Sequence, residues 1–265
     1  MISVLKIPFD ACIVEKERRG AAKGPDAVIS ELKLPEAAKI LEVKEQNDFE
    51  KLSKDIEKVA TEEHKKKNFV IGLGGDHSVS YGLMKAFAKT HKNAGLIYFD
   101  AHLDCDPDFL PPTHEGILRA VSKENLFKQI MVIGARNYTQ EEAKFSKDEH
   151  IFDFIGIYDK PTSQCIMSYI PDIFGSADDA GDKITDELYL SIDIDVFDPE
   201  FAPGTGYPEK NGYKPDEILY VIKELIKTGK VKGADIVEVS PPKDVNNMTS
   251  KLAARLLLEF LNINA

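Results

Sequence analysis

The chain has 265 residues, 43% hydrophobic and 30% charged, with Gly and Pro spread along it, a profile that excludes disorder and allows a full core. Its 45 Asp and Glu against 34 Lys and Arg leave a net charge of −11, which argues against a nucleic-acid or anionic-membrane partner and is compatible with a cationic ligand. Cys12, Cys105 and Cys165 are too few and too widely spaced for a disulfide framework or a zinc ribbon, so a reducing compartment, the cytoplasm, is expected.

Lys6, Pro8 and Asp10 interrupt the first ten residues and no run near ~18 apolar residues follows, so neither a signal peptide nor a membrane span is expected. The length suits one large α/β domain or two small ones, and no shift of composition favours two; one domain over 1–265 is the expectation.

Short Val/Ile-rich runs near 2–7, 39–43, 68–73, 94–99, 129–134, 151–157, 187–192 and 233–239 read as strands. Most lack strict alternation, as strands covered on both faces do, and amphipathic segments separate them; the pattern predicts a parallel α/β sheet. Residues 48–66 place Phe49, Leu52, Ile56 and Val59 on one stripe with Lys and Glu opposite, a surface helix that ends in the solvated run Lys65-Lys66-Lys67. The segment 158–183 mixes Pro161, Pro171, Gly175 and Gly181 with several Asp and reads as a lid or a long irregular connection. A helix over 215–228 opens with Pro215, carries Asp216 and Glu217 in its first turn and meets Gly229 beyond its last. The final helix stacks Leu252, Leu256 and Phe260 beside Ala253, Leu257 and Leu261, a face wide enough to seal the core or to serve an oligomer contact.

Polar clusters stand at the carboxyl ends of four of these strands, where ligands bind in open α/β sheets. They are Gly74-Gly75-Asp76-His77-Ser78, Asp100-Ala101-His102-Leu103-Asp104, Asp193-Ile194-Asp195 and Glu238. In extended chain, side chains two apart point the same way, so Asp100, His102 and Asp104 can converge, as can Asp193 and Asp195. Four carboxylates meeting in one crevice repel each other unless cations offset them. Carboxylate oxygens with imidazole nitrogens and no thiolate suit Mn²⁺ and, less selectively, Zn²⁺, Co²⁺ or Fe²⁺. Each motif alone has a plainer reading: an Asp-X-Asp at a strand end caps or turns, and a His after Gly-Gly is a hydrogen-bonded loop residue. Their joint occurrence, in order and each after a strand, favours a metal site.

These strings, with Ser191-Ile192-Asp193-Ile194-Asp195-Val196-Phe197-Asp198-Pro199, resemble the three metal-binding signatures of the ureohydrolase family of arginases, agmatinases and formiminoglutamases. The resemblance runs from Arg19-Gly20 and Gly24-Pro25 to Glu238-Val239-Ser240-Pro241-Pro242. It implies a three-layer α/β/α fold with a central, mostly parallel sheet of about eight strands. It also implies two Mn²⁺ per subunit: His77, Asp100, Asp104 and Asp193 would hold one, and His102, Asp100, Asp193 and Asp195 the other, with Asp100 and Asp193 bridging. A hydroxide shared by the two ions would attack a guanidinium carbon oriented by Glu238, and the leaving amine would be protonated through Asp104 or His114.

Thr113-His114 resembles the family's Ser-His proton relay, although Glu115 follows where many members have Gly or Ala; His114 either relays protons or caps the helix beginning near it. Asp76 and Asp198 read as structural and Cys105 as a packed thiol. Arginases carry an Asn two positions past the last Asp of the second signature to receive the amino-acid end of the substrate. Here that position is Asp106, with Asp108 nearby, which would repel an α-carboxylate and attract the ammonium of agmatine. Ala202-Pro203-Gly204-Thr205-Gly206-Tyr207-Pro208-Glu209 and Gly134-Ala135-Arg136-Asn137-Tyr138 resemble agmatinase strings, with Tyr207 in place of the commoner Thr and Lys243 in place of a frequent Tyr. The resemblance thus points to hydrolysis of agmatine to putrescine and urea, by a homo-oligomeric trimer or hexamer. Arginase, guanidinobutyrase and formiminoglutamase are alternatives with the same metal chemistry, and a single-zinc deacetylase-like amidohydrolase or a non-catalytic binding protein are remoter ones.

Overall fold

A computed structural model describes residues 1–36, 38–44, 46, 48–107, 112–154, 160–175, 185 and 187–263. Seven strands form one parallel sheet: β1 (Ile2–Ile7), β2 (Ala38–Glu42), β3 (Phe69–Gly74), β4 (Gly95–Phe99), β5 (Gln129–Ile133), β6 (Leu188–Asp193) and β7 (Val231–Val237), in the order β2-β1-β3-β7-β6-β4-β5. Among the described residues eight α-helices connect or flank them: α1 (Gly24–Ser30), α2 (Phe49–Lys65), α3 (Ser80–Thr90), α4 (Ile117–Lys123), α5 (Gln140–Asp148), α6 (Ser163–Phe174), α7 (Pro215–Lys227) and α8 (Met248–Leu261).

Alternate residues of each central strand enter opposite cores. Val4, Ile71, Leu73, Ile97 and Phe99 join the side chains of α1, α6, α7 and α8, whereas Leu5, Val70, Leu96 and Tyr98 join those of α2, α3 and α4. Both faces of the sheet are therefore covered, which is why its strands read as apolar runs rather than as alternating ones. The three-layer α/β/α architecture is the expected one.

Of the eight anticipated strands, the one near 151–157 enters the sheet only at Phe152, which bridges Met131 beside β5. Its residues 155–157 lie outside the described ones. Within 158–183 the described part is helical rather than irregular: the Thr162 side chain accepts from Cys165 N at the start of α6, and Ile166, Ile170 and Phe174, four residues apart, pack into the core. The 3.6-residue stripe outweighs Pro171. No described helix is long and apolar enough to cross a membrane.

The strands β3, β7, β6 and β4 are adjacent in the middle of the sheet. All run the same way, so their carboxyl ends share one edge, and the four polar clusters of the sequence stand on it.

Candidate metal centre

After β3 the backbone of Gly75 passes so near Phe9 that a Cβ would lie 1.7 Å from the Phe9 carbonyl oxygen, so only glycine fits. Asp76 then caps a short 3₁₀ turn over His77–Val79, accepting from Ser78 N and from Cys12 N, as a structural residue would. The turn delivers His77, 1% exposed, into a ring of carboxylates: its Nδ1 is 3.1 Å from Asp100 Oδ2, 3.3 Å from Asp104 Oδ2 and 3.3 Å from Asp193 Oδ2. His102 Nδ1 lies 3.0 Å from Asp195 Oδ2 and 3.3 Å from Asp100 Oδ1.

The convergence of Asp193 and Asp195 does not come from extended chain, as the two-residue spacing suggested. Asp193 closes β6, and its Oδ1 accepts from Asp195 N at 2.8 Å, winding residues 194–196 into a 3₁₀ turn. Likewise Asp104 has a left-handed backbone (φ 47°) instead of a strand conformation. Among the described residues, Asp104 and Glu238 (φ 63°) are the buried non-glycine residues with positive φ.

The structure groups these ligand atoms in two overlapping sets, His77–Asp100–Asp193 and Asp100–His102–Asp104, with the atoms of each within 4.8 Å of one another. Asp100 is common to both, Asp104 stands near both histidines' carboxylate partners, and Asp195 sits against His102. Burial, reinforced by Asp195 and Asp100, pushes Asp193 far above the ordinary carboxylate range, and burial with Asp100 raises Asp104. Burial opposes a charged His77, yet Asp100, Asp104 and Asp193 outweigh it and raise its pKa; for His102, burial is likewise overcome by Asp195 and Asp100. The protein alone cannot hold so many carboxylates ionised, and divalent cations would relieve the repulsion. Asp100 Oδ2, fully buried, accepts no hydrogen bond, and the donor set is carboxylate and imidazole without thiolate. These residues fit hard or borderline divalent cations.

Four residues to which sequence reasoning assigned no role orient the histidine. Ser191 donates to Asp235 Oδ1 (2.8 Å), so its oxygen accepts from His77 Nε2 (3.0 Å) and Nδ1 keeps its lone pair for the cluster. Tyr189 donates to the other Asp235 oxygen at 2.7 Å, and Tyr98 stacks on His77 while donating to Asp104 Oδ2 at 2.6 Å. The available signal was Asp235 itself, a carboxylate inside a buried parallel strand.

A cavity of about 290 Å³ opens over the cluster. Glu238, 4% exposed, lines it; its Oε1 accepts from His77 N at 2.9 Å and its Oε2 has no partner among the described residues. His114 lines it too and does not cap α4, whose N-cap is Gly116. Its Nδ1 donates to Cys12 O (3.1 Å), leaving Nε2 as an unpartnered acceptor facing the cavity, and burial lowers its pKa. Asp106 stands at the rim, while Asp108 lies outside the described residues. Cys105 is buried with its thiol pushed up by burial, as a packed residue is, and Asp198 orders its turn by accepting from Glu200 N and Gly212 N. Arg136 ties the site's outer loop down, donating to the carbonyls of Asp195 (2.6 Å), Gly134 (3.0 Å) and Glu209 (3.0 Å).

Fold and site together define a parallel α/β protein with an oxygen- and nitrogen-rich cluster at the strand ends. The arginase family matches residues 1–262, and the chain belongs to it. A human mitochondrial guanidino acid hydrolase is 35% identical over 71% of this chain, and the agmatinase of Bacillus subtilis 31% identical over 74%. The chain matches 53% and 64% of the lengths of those two relatives. The arginase from Bacillus subtilis superposes with a TM-score of 0.82 at 26% identity, covering 98% of each chain.

Proposed function

We propose that the chain hydrolyses a guanidino compound, with agmatine converted to putrescine and urea, using two Mn²⁺ held by His77, Asp100, His102, Asp104, Asp193 and Asp195. When bound, the ions supply an acidified water as nucleophile near neutral pH. The observation that carries this reading is Glu238 Oε2, a buried acceptor without a partner in the cavity over the cluster. A guanidinium donates two parallel hydrogen bonds to a carboxylate and would place its carbon above the cluster.

Attack at that carbon leaves an amine that must depart with a proton. Asp104 takes the proton and His114 Nε2, an open acceptor in the same cavity, relays it to the leaving nitrogen. At the rim, Asp106 faces the far end of the substrate and disfavours a carboxylate there. The same reading carries a single ureohydrolase domain over 1–265 in a trimeric or hexameric cytoplasmic assembly.

The test is product release with manganese: urea from agmatine, arginine and guanidinobutyrate, and glutamate from formiminoglutamate. The highest kcat/KM is expected for agmatine. A wild-type agmatine-to-arginine ratio below one would overturn the choice of substrate, and failure on all four the whole reading.

A further inference from the structure

Seven carboxylates line the cavity, and no Lys or Arg does so among the described residues. Five are spoken for. Asp104, Asp193 and Asp195 belong to the cluster, Glu238 stands over it, and Glu142 is saturated, accepting from Cys105 N, Thr139 N and Thr139 Oγ1. Asp106 and Glu115 remain at the rim. Their side chains accept no hydrogen bond from a described residue, and His114 Nε2 lies 3.8 Å from Glu115 Oε1. A backbone bond from Asp106 N to Glu115 O (2.9 Å) holds the two side by side.

The guanidinium groups of Arg119, Arg136 and Arg18 are engaged elsewhere. Arg119 donates to Cys105 O and lies over the Phe145 ring, Arg136 donates to the carbonyls of the outer loop, and Arg18 donates to Gly206 O and lies over the Tyr207 ring. Tyr207, pinned by that contact and by its bond to Glu15 Oε2 (2.7 Å), forms a fixed wall beside His114 and His102. The cavity is also built for a ligand on independent grounds. The buried polar atoms Glu238 Oε2, His114 Nε2 and Thr205 Oγ1 line it without partners.

We propose that Glu115 is a specificity-determining residue: its carboxylate, beside that of Asp106, receives a protonated amine at the far end of the substrate, so that guanidinoamines are taken and guanidino acids refused. The assignment rests on the ureohydrolase reading. Floor and rim then match a molecule cationic at both ends, and a carboxylate-tailed guanidine meets two like charges with no compensating cation. Glu115 is 47% exposed at its side chain, so its replacement leaves the core untouched.

The experiment compares kcat/KM for agmatine, n-butylguanidine and guanidinobutyrate, with manganese, in wild type, Glu115→Gln and Glu115→Lys. The agmatine-to-butylguanidine ratio cancels any effect of Glu115 on His114, which both substrates share. It is expected to fall about twofold to fivefold in Glu115→Gln, the range for an exposed charge pair, chiefly through KM. In Glu115→Lys the guanidinobutyrate-to-agmatine ratio is expected to rise. An active wild type whose agmatine-to-butylguanidine ratio is unchanged in Glu115→Gln would overturn the role of Glu115 alone. A wild type that hydrolyses none of the three would overturn the ureohydrolase reading and this assignment with it.

Discussion

Asp235→Asn isolates the hydrogen-bond chain behind His77. In the wild type both oxygens of Asp235 accept, from Tyr189 OH at 2.7 Å and Ser191 Oγ at 2.8 Å. An asparagine can accept from only one of them and must donate to the other. Tyr189 is 1% exposed and its hydroxyl has no other acceptor among the described residues, so leaving it unpaired would cost about 1–3 kcal/mol. The amide oxygen therefore turns to Tyr189 and the amide nitrogen to Ser191. Ser191 can then send its own proton to His77 Nε2, 3.0 Å away, which forces the ring's remaining proton onto Nδ1, the nitrogen facing Asp100, Asp104 and Asp193. A protonated Nδ1 cannot ligate, so Mn²⁺ affinity should fall by about 10–100-fold, the usual scale for disturbing a ligand's outer partner. Every wild-type donor keeps an acceptor and only the second N–H of the new amide is added, so the metal-free protein should lose no more than about 1–3 kcal/mol. Manganese titration followed by electron paramagnetic resonance gives the affinity, and urea denaturation of the metal-free protein gives the stability. Manganese affinity within twofold of wild type would refute the tautomer argument.

Asp100→Ala and Asp193→Ala are each expected to abolish hydrolysis and manganese occupancy together, measured by metal analysis after gel filtration, because in the proposed centre each carboxylate would serve both ions; two ions per chain in either variant would reject the bridging roles. His114→Ala should keep its manganese but turn over more slowly, with part of the rate returned by added imidazole, and an unchanged rate would leave His114 outside the reaction. Away from the site, burial and then the charge of His91 hold His64 down at about 3, below the ordinary 6.5, so it folds neutral. Its contribution is present above pH 6.5 and is lost as pH falls toward 3, about 2 kcal/mol by pH 5. Urea midpoints between pH 7 and 5 should therefore fall less in His64→Phe than in wild type; equal slopes would count against this origin.

The layers and the site's address were legible in the sequence because they rest on local facts. Apolar runs with no alternation meant strands covered on both faces, and polar strings after four of them marked one edge of a sheet. That β3, β7, β6 and β4 are neighbours was not legible, since strand order depends on long-range packing. Ser191 and Asp235 went without a role for a related reason: they meet across two paired strands, and although Ser191 opens the third signature, no local spacing announces its bond to Asp235. The helix α6 was obscured by Pro171, although Ile166, Ile170 and Phe174 already lay four apart. The two-residue spacing of Asp193 and Asp195 suggested the right convergence by the wrong geometry, because a side-chain bond to a backbone N–H turned the chain.

Asp104 and Glu238 show what the fold gives up for the site. A left-handed backbone costs a non-glycine residue about 1–2 kcal/mol, and glycine would adopt it freely. Among the described residues, the other non-glycine residues with positive φ are exposed, mostly Asn in turns. Asp104 and Glu238 have no such excuse: both are buried, and each stands just past a central strand where continued extension would carry its carboxylate away from His77. The conformation is held from both sides. The Asp104 carbonyl accepts from Leu118 N and Arg119 N, with its carboxylate on Tyr98 OH; Glu238 N donates to Gly75 O while its own carboxylate accepts from His77 N. The backbone bonds would survive in glycine, but the two carboxylate bonds, to Tyr98 OH and from His77 N, offset the cost only because the side chains are present to make them. Glycine would relax the turn and remove a carboxylate from the cavity, so the residue choice follows the chemistry of the site rather than the conformation of the loop.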